Sequence, residues 1–243
     1  MNKTIAILAA VSEEIAGIKQ AMNISDRIRL GKSEAWPGKW QGNHIVLVRT
    51  GVGKQRAAEA ALKTIEQFSP ERLLSIGYAG GLVANLEVGD MIVADRIVDV
   101  QSSAEFVPDP QWLQRAQKAP APKSGKIVSG KLVTADKVIH SPKDKKELGE
   151  SFSAEAVEME TAAIAKVVAE KNLPFLSVRA ISDSVEQEVL DSSSFLGGDG
   201  EISKLKAGWY VLTHPGSIAS ALSLRSQTQQ ATRNLTEFVS NLF

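Results

Sequence analysis

The sequence predicts an α/β protein: a single domain built on a central, mostly parallel mixed sheet flanked by helices. Continuous apolar runs of strand length alternate with stretches whose apolar residues recur at helical spacing, and glycine-containing turns punctuate the alternation. A chain of 243 residues, 43% of them hydrophobic, can bury a substantial core. One domain spanning 1–243 is the expected organisation, and no internal repeat is visible.

Thr4 to Ala10 is a continuous apolar run, read as the first strand; "SEEIAGIKQAM" follows with Ile15, Ile18 and Met22 at helical spacing. "HIVLVRTGVGK" is a β-branched run closed by a glycine turn, and "QRAAEAALKTIEQF" supplies the next helix. "RLLSIGYAGGL" reads as a buried strand ending in the pair Gly80 and Gly81, and "VGDMIVADRIVDV" as an extended strand. Pro108 to Lys126 is proline-rich and polar, and "LGGDGE" at 196–201 is glycine-rich; both read as surface loops. "AEAV" is a short strand, Thr161 to Lys171 a helix, and "FLSVRAISD" another buried strand. After Gly200 a helical tail, including "SIASALSLRSQTQQATRNLTEFV", closes the chain. Buried runs alternating with helices imply a sheet covered on both faces.

Composition narrows the partners. With 28 basic and 28 acidic residues the formal net charge is +0, so no global field draws in nucleic acid or an anionic membrane, and a small uncharged ligand fits better. The chain has no cysteine and three histidines, which removes disulfides and thiolate metal sites; neither a metal nor a cofactor is expected. The opening "MNKTIAILAAVSEEI" has an apolar run too short to span a membrane and no small-residue cleavage site, so a cytoplasmic location is expected.

Ligands of open α/β sheets bind outside the carboxyl ends of the strands. Those ends present Ser12, Glu13 and Glu14; Tyr78 to Gly81; Glu158 to Glu160; and Ser182 with Asp183. Each has a plain structural rival. Glu14 suits the first turn of a helix N-capped by Ser12, Asp183 suits a cap, Met159 suits a core, and the glycine pair suits a tight turn. Glu158 is assigned a structural role, paired with Arg179.

"GVGK", "GYAGGLVANLEVGD", "AVEMETAAIA" and "VRAISD", in this order and spacing, resemble the purine nucleoside phosphorylase superfamily, and within it the 5′-methylthioadenosine/S-adenosylhomocysteine nucleosidase branch. The resemblance covers most of residues 1–190. Beyond Asp191 the chain diverges into a helical extension at about 196–243, and this ending, with "ADKVIHSPKDKKEL" upstream, is more similar to the hopanoid-associated nucleosidases, for which a lipid-linked adenosine is the implied substrate. The resemblance implies cleavage of a purine N-glycosidic bond, which develops positive charge on the ribose and negative charge on the departing base. By resemblance Asp183 is the acid at purine N7, Glu160 the acceptor for the ribose hydroxyls, Met159 the apolar contact to the ribose, and Glu14 the base that activates water. Ala79, Gly80, Ser182, Val138 and Ile139 complete the implied binding set, with Val138 standing where the nucleosidases carry a stacking aromatic. Tyr78 replaces the usual serine, and Phe195, Trp209 and Tyr210 are candidates for lining a larger 5′ pocket. The family also implies a homodimer or higher homo-oligomer.

Hydrolysis and phosphorolysis both remain open from sequence. The first loop, "AAVSEEIAG", offers carboxylates and no arginine, which suits water; Arg49 and Arg56 near "TGVGK" keep a phosphate site in play. A non-catalytic nucleoside binder is the alternative of a different class, disfavoured because a binder needs no general acid.

Overall fold

The structure, a computed structural model, describes residues 4–189 and 218–243; the side chains of 218–225 lie outside that description. In chain order the elements are β1 (Thr4–Ala9), α1 (Ser12–Ala21), β2 (Asn23–Ile24), β3 (Ile28–Leu30), β4 (Ser33–Trp40), β5 (Asn43–Arg49), α2 (Lys54–Phe68), β6 (Arg72–Gly81), β7 (Met91–Asp99), β8 (Glu105–Phe106), α3 (Pro110–Gln117), β9 (Ile127–Thr134), α4 (Pro142–Phe152), β10 (Ala156–Glu158), α5 (Thr161–Glu170), β11 (Phe175–Asp183) and α6 (Ile218–Asn241).

All eleven described strands join one mixed sheet in the order β10-β9-β7-β11-β6-β1-β5-β4-β2, with β3 on β4 and β8 on β7. β1 pairs in parallel with β5 and β6, and β6 with β11; β7 runs antiparallel to β11. β10 pairs with β9 and also with the last two residues of β6, Ala156 opposite Gly81 and Val157 opposite Gly80. That second ladder closes β6, β11, β7, β9 and β10 into a ring, which pairs the otherwise free edge of β10.

Side chains alternate across the strands, and the two faces build two cores. Ile5, Ile7 and Ala9 face α1, α3 and α6 through Ile15, Ile18, Trp112, Leu235 and Phe238. Ala6 and Leu8 face α2 and α5 through Ala57, Ala61, Ile164 and Val168. The predicted α/β class and both covered faces are therefore present.

Two segments differ from expectation. Pro108 to Lys126 is not all loop: Asp109 accepts a hydrogen bond from Trp112 N at 2.8 Å as the N-cap of α3, Pro110 opens the helix, and Trp112 is buried. Residues 23–40, given no element from sequence, form β2, β3 and β4, with Trp36 and Trp40 buried. Of the C-terminal extension, α6 agrees with the predicted tail, and Ala231, Leu235, Phe238 and Val239 are fully buried core. "LGGDGE", Phe195, Trp209 and Tyr210 lie outside the described residues. No helix of the described residues is long and apolar enough to cross a membrane.

Candidate active site

Glu14 is the third residue of α1, just past the end of β1. Ser12 does not cap this helix; Val11 holds the N-cap position in extended conformation, φ −123 and ψ 160, and offers no side-chain acceptor. The capping falls to Glu14, whose Oε2 accepts from Ala10 N at 2.8 Å and Val11 N at 3.0 Å. Its Oε1 accepts from Tyr78 N at 2.8 Å, so the carboxylate also bridges β1 to β6. Gly77 makes that approach possible, because a Cβ there would lie 2.5 Å from Glu14 Oε1. Burial raises the Glu14 carboxyl above its ordinary range, opposed by these N–H groups and by the charge of Arg179.

Glu158, the last residue of β10, and Glu160, beyond the strand's end, meet different partners. Glu158 is buried with Arg179, its Oε2 3.0 Å from Nη2. It also accepts from Thr134 Oγ1 at 2.6 Å and from the backbone N–H groups of Glu160 and Thr161, at the N-terminus of α5. Arg179 donates further to Ser75 Oγ, Thr161 Oγ1 and Val178 O. This network pins the β10–α5 junction. Glu158→Gln would leave the guanidinium without its counter-charge and should cost about 3–5 kcal/mol, measured by urea denaturation. A loss below about 1 kcal/mol would mean that Arg179 finds another partner.

Glu160 is the N-cap residue of α5, and its Oε1 accepts from Gly53 N at 2.8 Å, across the sheet end from the "GVGK" loop. Burial, then the charges of Glu158 and Glu14, push its carboxyl up to about 8. Between the unfolded carboxylate range and about 8, the folded protein keeps a proton that the unfolded chain has released. Stability from this group is therefore lost as pH rises through that window. Glu160→Gln should raise Tm by several degrees at about pH 8.5 and leave it nearly unchanged at about pH 4, as differential scanning fluorimetry would show.

Asp183 ends β11, opposite Gly80 of β6, and its Oδ2 lies 2.9 Å from where a Gly80 Cβ would stand. Ser182 Oγ donates to its Oδ1 at 2.6 Å. The other oxygen meets a residue that the sequence did not nominate: Lys145 of α4, whose Nζ donates to Oδ2 at 2.5 Å. Lys145 is 1% exposed, and its ammonium also donates to Ser184 O at 2.9 Å and Gln187 O at 2.8 Å. In "SPKDKKEL" it stands between Asp144 and Lys146, so the run looks like a solvated helix face; only its position one turn inside α4 hints at burial.

Among the remaining nominated residues, Ala79 is buried beside Gly80 on β6, and Ser182 Oγ lies 3.3 Å from its carbonyl. Met159 is half-buried between the two glutamates. Val138 and Ile139 are half-buried in the loop between β9 and α4, Ile139 packing with Leu82 and Val157. The Tyr78 hydroxyl turns to α6 and bonds Thr232 Oγ1 at 2.5 Å, so the side chain ties strand to tail while the backbone serves Glu14. Arg49 pairs with Glu34 at 3.1 Å and reaches Ser12 Oγ at 3.4 Å; Arg56 is the third residue of α2. Lys54 of the "GVGK" loop lies 2.7 Å from Asp99 and 2.6 Å from Asp136. Among the described residues no cluster of three or more histidine or acidic side chains could hold a metal ion. A groove of about 410 Å³ beside Thr4, Asn23, His44 and Phe68 opens at the opposite ends of the strands and involves none of these groups.

The arrangement gathers two raised carboxyls and an ion-paired aspartate around the glycine-rich end of β6. Such a set can take a proton from water at one point and offer one at another. A family model described as the phosphorylase superfamily matches residues 4–204. The chain is 34% identical over 205 residues to the 5′-methylthioadenosine/S-adenosylhomocysteine nucleosidase of Listeria monocytogenes, covering 76% of this chain and 88% of that protein. It is 31% identical over 201 residues to the corresponding protein of Shewanella piezotolerans, covering 76% and 87%. The fold is similar to that of the nucleosidase of the same name from Neisseria meningitidis, with TM-score 0.77, 24% identity and coverage of 99% and 98%. It is likewise similar to the futalosine hydrolase of Helicobacter pylori, with TM-score 0.78, 21% identity and coverage of 100% and 97%.

Proposed function

Because the chain belongs to the phosphorylase superfamily, we propose that it is a nucleosidase that hydrolyses the N-glycosidic bond of a 5′-substituted adenosine and releases adenine. In this reading Glu14 takes a proton from the attacking water, and burial makes its carboxylate more basic than an ordinary glutamate. Glu160 is the acceptor for the ribose hydroxyls as the sugar becomes oxocarbenium-like. Asp183 delivers the proton that lets the purine leave through N7. Gly80 and Ala79 allow the flat base to approach the backbone of β6, and Val138, Ile139 and Met159 supply aliphatic contact.

One observation favours water over phosphate as the nucleophile: the N–H of Gly53, in the loop where a phosphate would seek donors, is given to the Glu160 carboxyl. A phosphate placed there would have to displace the Glu160 carboxyl from Gly53 N, and Arg49 is engaged by Glu34 and Ser12. The 5′ substituent is proposed to be the methylthio or homocysteinyl group named in the sequence relatives, or the lipid chain that the divergent ending suggests. A homodimer is part of the same proposal.

The test is release of free base from methylthioadenosine, adenosylhomocysteine, adenosine and inosine, each with and without phosphate. Adenine should appear from the 5′-substituted adenosines at a rate indifferent to phosphate. Turnover that requires phosphate would make the protein a phosphorylase, and tight binding without base release would make it a binder.

A further inference from the structure

We propose that the general acid of this site is the Lys145–Asp183 pair, with Lys145 a positioning residue that stores the proton and acts through the carboxylate. The inference rests on the nucleosidase reading above. Three observations carry it. Lys145 is as buried as any core side chain, and all three of its N–H donors have acceptors, so the ammonium is built into the fold. Two of those acceptors, Ser184 O and Gln187 O, belong to the segment that follows Asp183, so one cation fixes both the acid and the chain leaving it. Asp183 Oδ1 is occupied by Ser182 Oγ, which leaves Lys145 the direct cationic neighbour on the other oxygen.

A buried ion pair can neutralise itself by moving one proton, because a low-polarity site disfavours separated charges. The step balances as follows. As the C1′–N9 bond breaks, its electron pair passes into the purine. A Lys145 N–H bond breaks and an Asp183 O–H bond forms; that O–H then breaks as N7–H forms, leaving Asp183 a carboxylate and Lys145 a neutral amine. Water forms the new bond to C1′ and its proton goes to Glu14. After release of the products, Glu14 gives its proton to solvent and solvent returns one to Lys145. The other ionisable groups on the packed elements are already engaged. Lys146 pairs with Glu186 at the surface at 2.8 Å, His140 Nδ1 lies 3.1 Å from Val189 O, and Asp144 sits in the exposed first turn of α4. Glu158 is held by Arg179, while Glu14 and Glu160 stand on the neighbouring strand ends.

The test is the pH profile of kcat/KM for adenine release by the wild type, Lys145→Met, Asp183→Asn and the double variant. The wild type should stay active well above the carboxylate range, because the stored proton belongs to an ammonium. Lys145→Met should lower kcat by about 100-fold or more with KM changed less than about threefold, and should move the alkaline limb down by about one pH unit or more. In the double variant both charges are gone, so folding does not depend on a lone buried ion, and its rate should equal that of Asp183→Asn within about twofold. A Lys145→Met protein with the wild-type profile and only a lower Tm would reduce Lys145 to a structural cation. An upward shift of the limb would mean that Lys145 withholds the proton, the reverse of the proposal; so would additive losses in the double variant argue against a shared function. No base release by the wild type from any nucleoside would sink the nucleosidase reading, and this proposal with it, whereas loss confined to the variants leaves that reading intact.

Discussion

Asp183→Asn is expected to lower adenine release by roughly 10²–10⁴-fold while adenine still binds. An amide keeps the shape of the carboxyl but has no proton to pass to N7. The hydrogen bonds around the side chain survive the substitution, but the buried Lys145 ammonium loses its counter-charge, at a cost of about 3–5 kcal/mol. The amide oxygen can still accept from Lys145, and the amide NH₂ can donate to Ser182 Oγ, whose hydroxyl is free to reverse its role. The buried ammonium keeps its other acceptors on Ser184 and Gln187. Single-turnover release of adenine, together with a binding isotherm for adenine, separates chemistry from affinity. Wild-type turnover in this variant would remove Asp183 from the mechanism.

Glu14→Gln should cause a loss of similar size, about 10²–10⁴-fold, with a structural penalty of a different origin. Three N–H donors converge on the Glu14 carboxylate, from Ala10, Val11 and Tyr78. A glutamine oxygen can serve one side of that set, and its NH₂ must then face a donor on the other. One buried N–H is left without an acceptor, at a cost of about 1–3 kcal/mol. Activity must therefore be normalised to the folded fraction, taken from circular dichroism in the same buffer. Addition of phosphate should not restore turnover. Rescue by phosphate would show that the anion replaces water as nucleophile and would overturn the hydrolytic reading.

Strand-end reasoning nominated Glu14 and Asp183 because β1 and β11 are buried and so stand out as continuous apolar runs. β1, β6 and β11 could be read in this way, and the expected pairing of Glu158 with Arg179 is present. Elsewhere the local signals conflict. β4 contains Pro37 and Gly38, which look like turn residues; it tolerates them far from the centre of the sheet, where Trp36 and Trp40 supply the burial. β9 is interrupted by Gly130, and α4 is so rich in charge that it looks like a solvated loop. Lys145 was illegible for a deeper reason. Its burial depends on Asp183, a partner 38 residues away, and no window of local sequence contains both. Ser12 failed as a cap because Glu14 reaches back to the same backbone groups, a competition that composition alone does not decide.

β6 and β7 follow each other in the chain but are not neighbours in the sheet, because β11 lies between them. While the protein is being synthesised, a slot must stay open in the middle of the sheet until Phe175 to Asp183 emerge, and the ring that β10 helps to close cannot be completed before then. The strand that fills the slot carries the proposed acid as its last residue. Glu14, Glu160 and Lys145 are all translated earlier, yet none of them has a partner at the purine until β11 inserts. A product cut short by a stalled ribosome or a premature stop therefore lacks both the keystone of the sheet and the group that would let a base depart. By this strand order, glycosidic cleavage would require a chain read through β11.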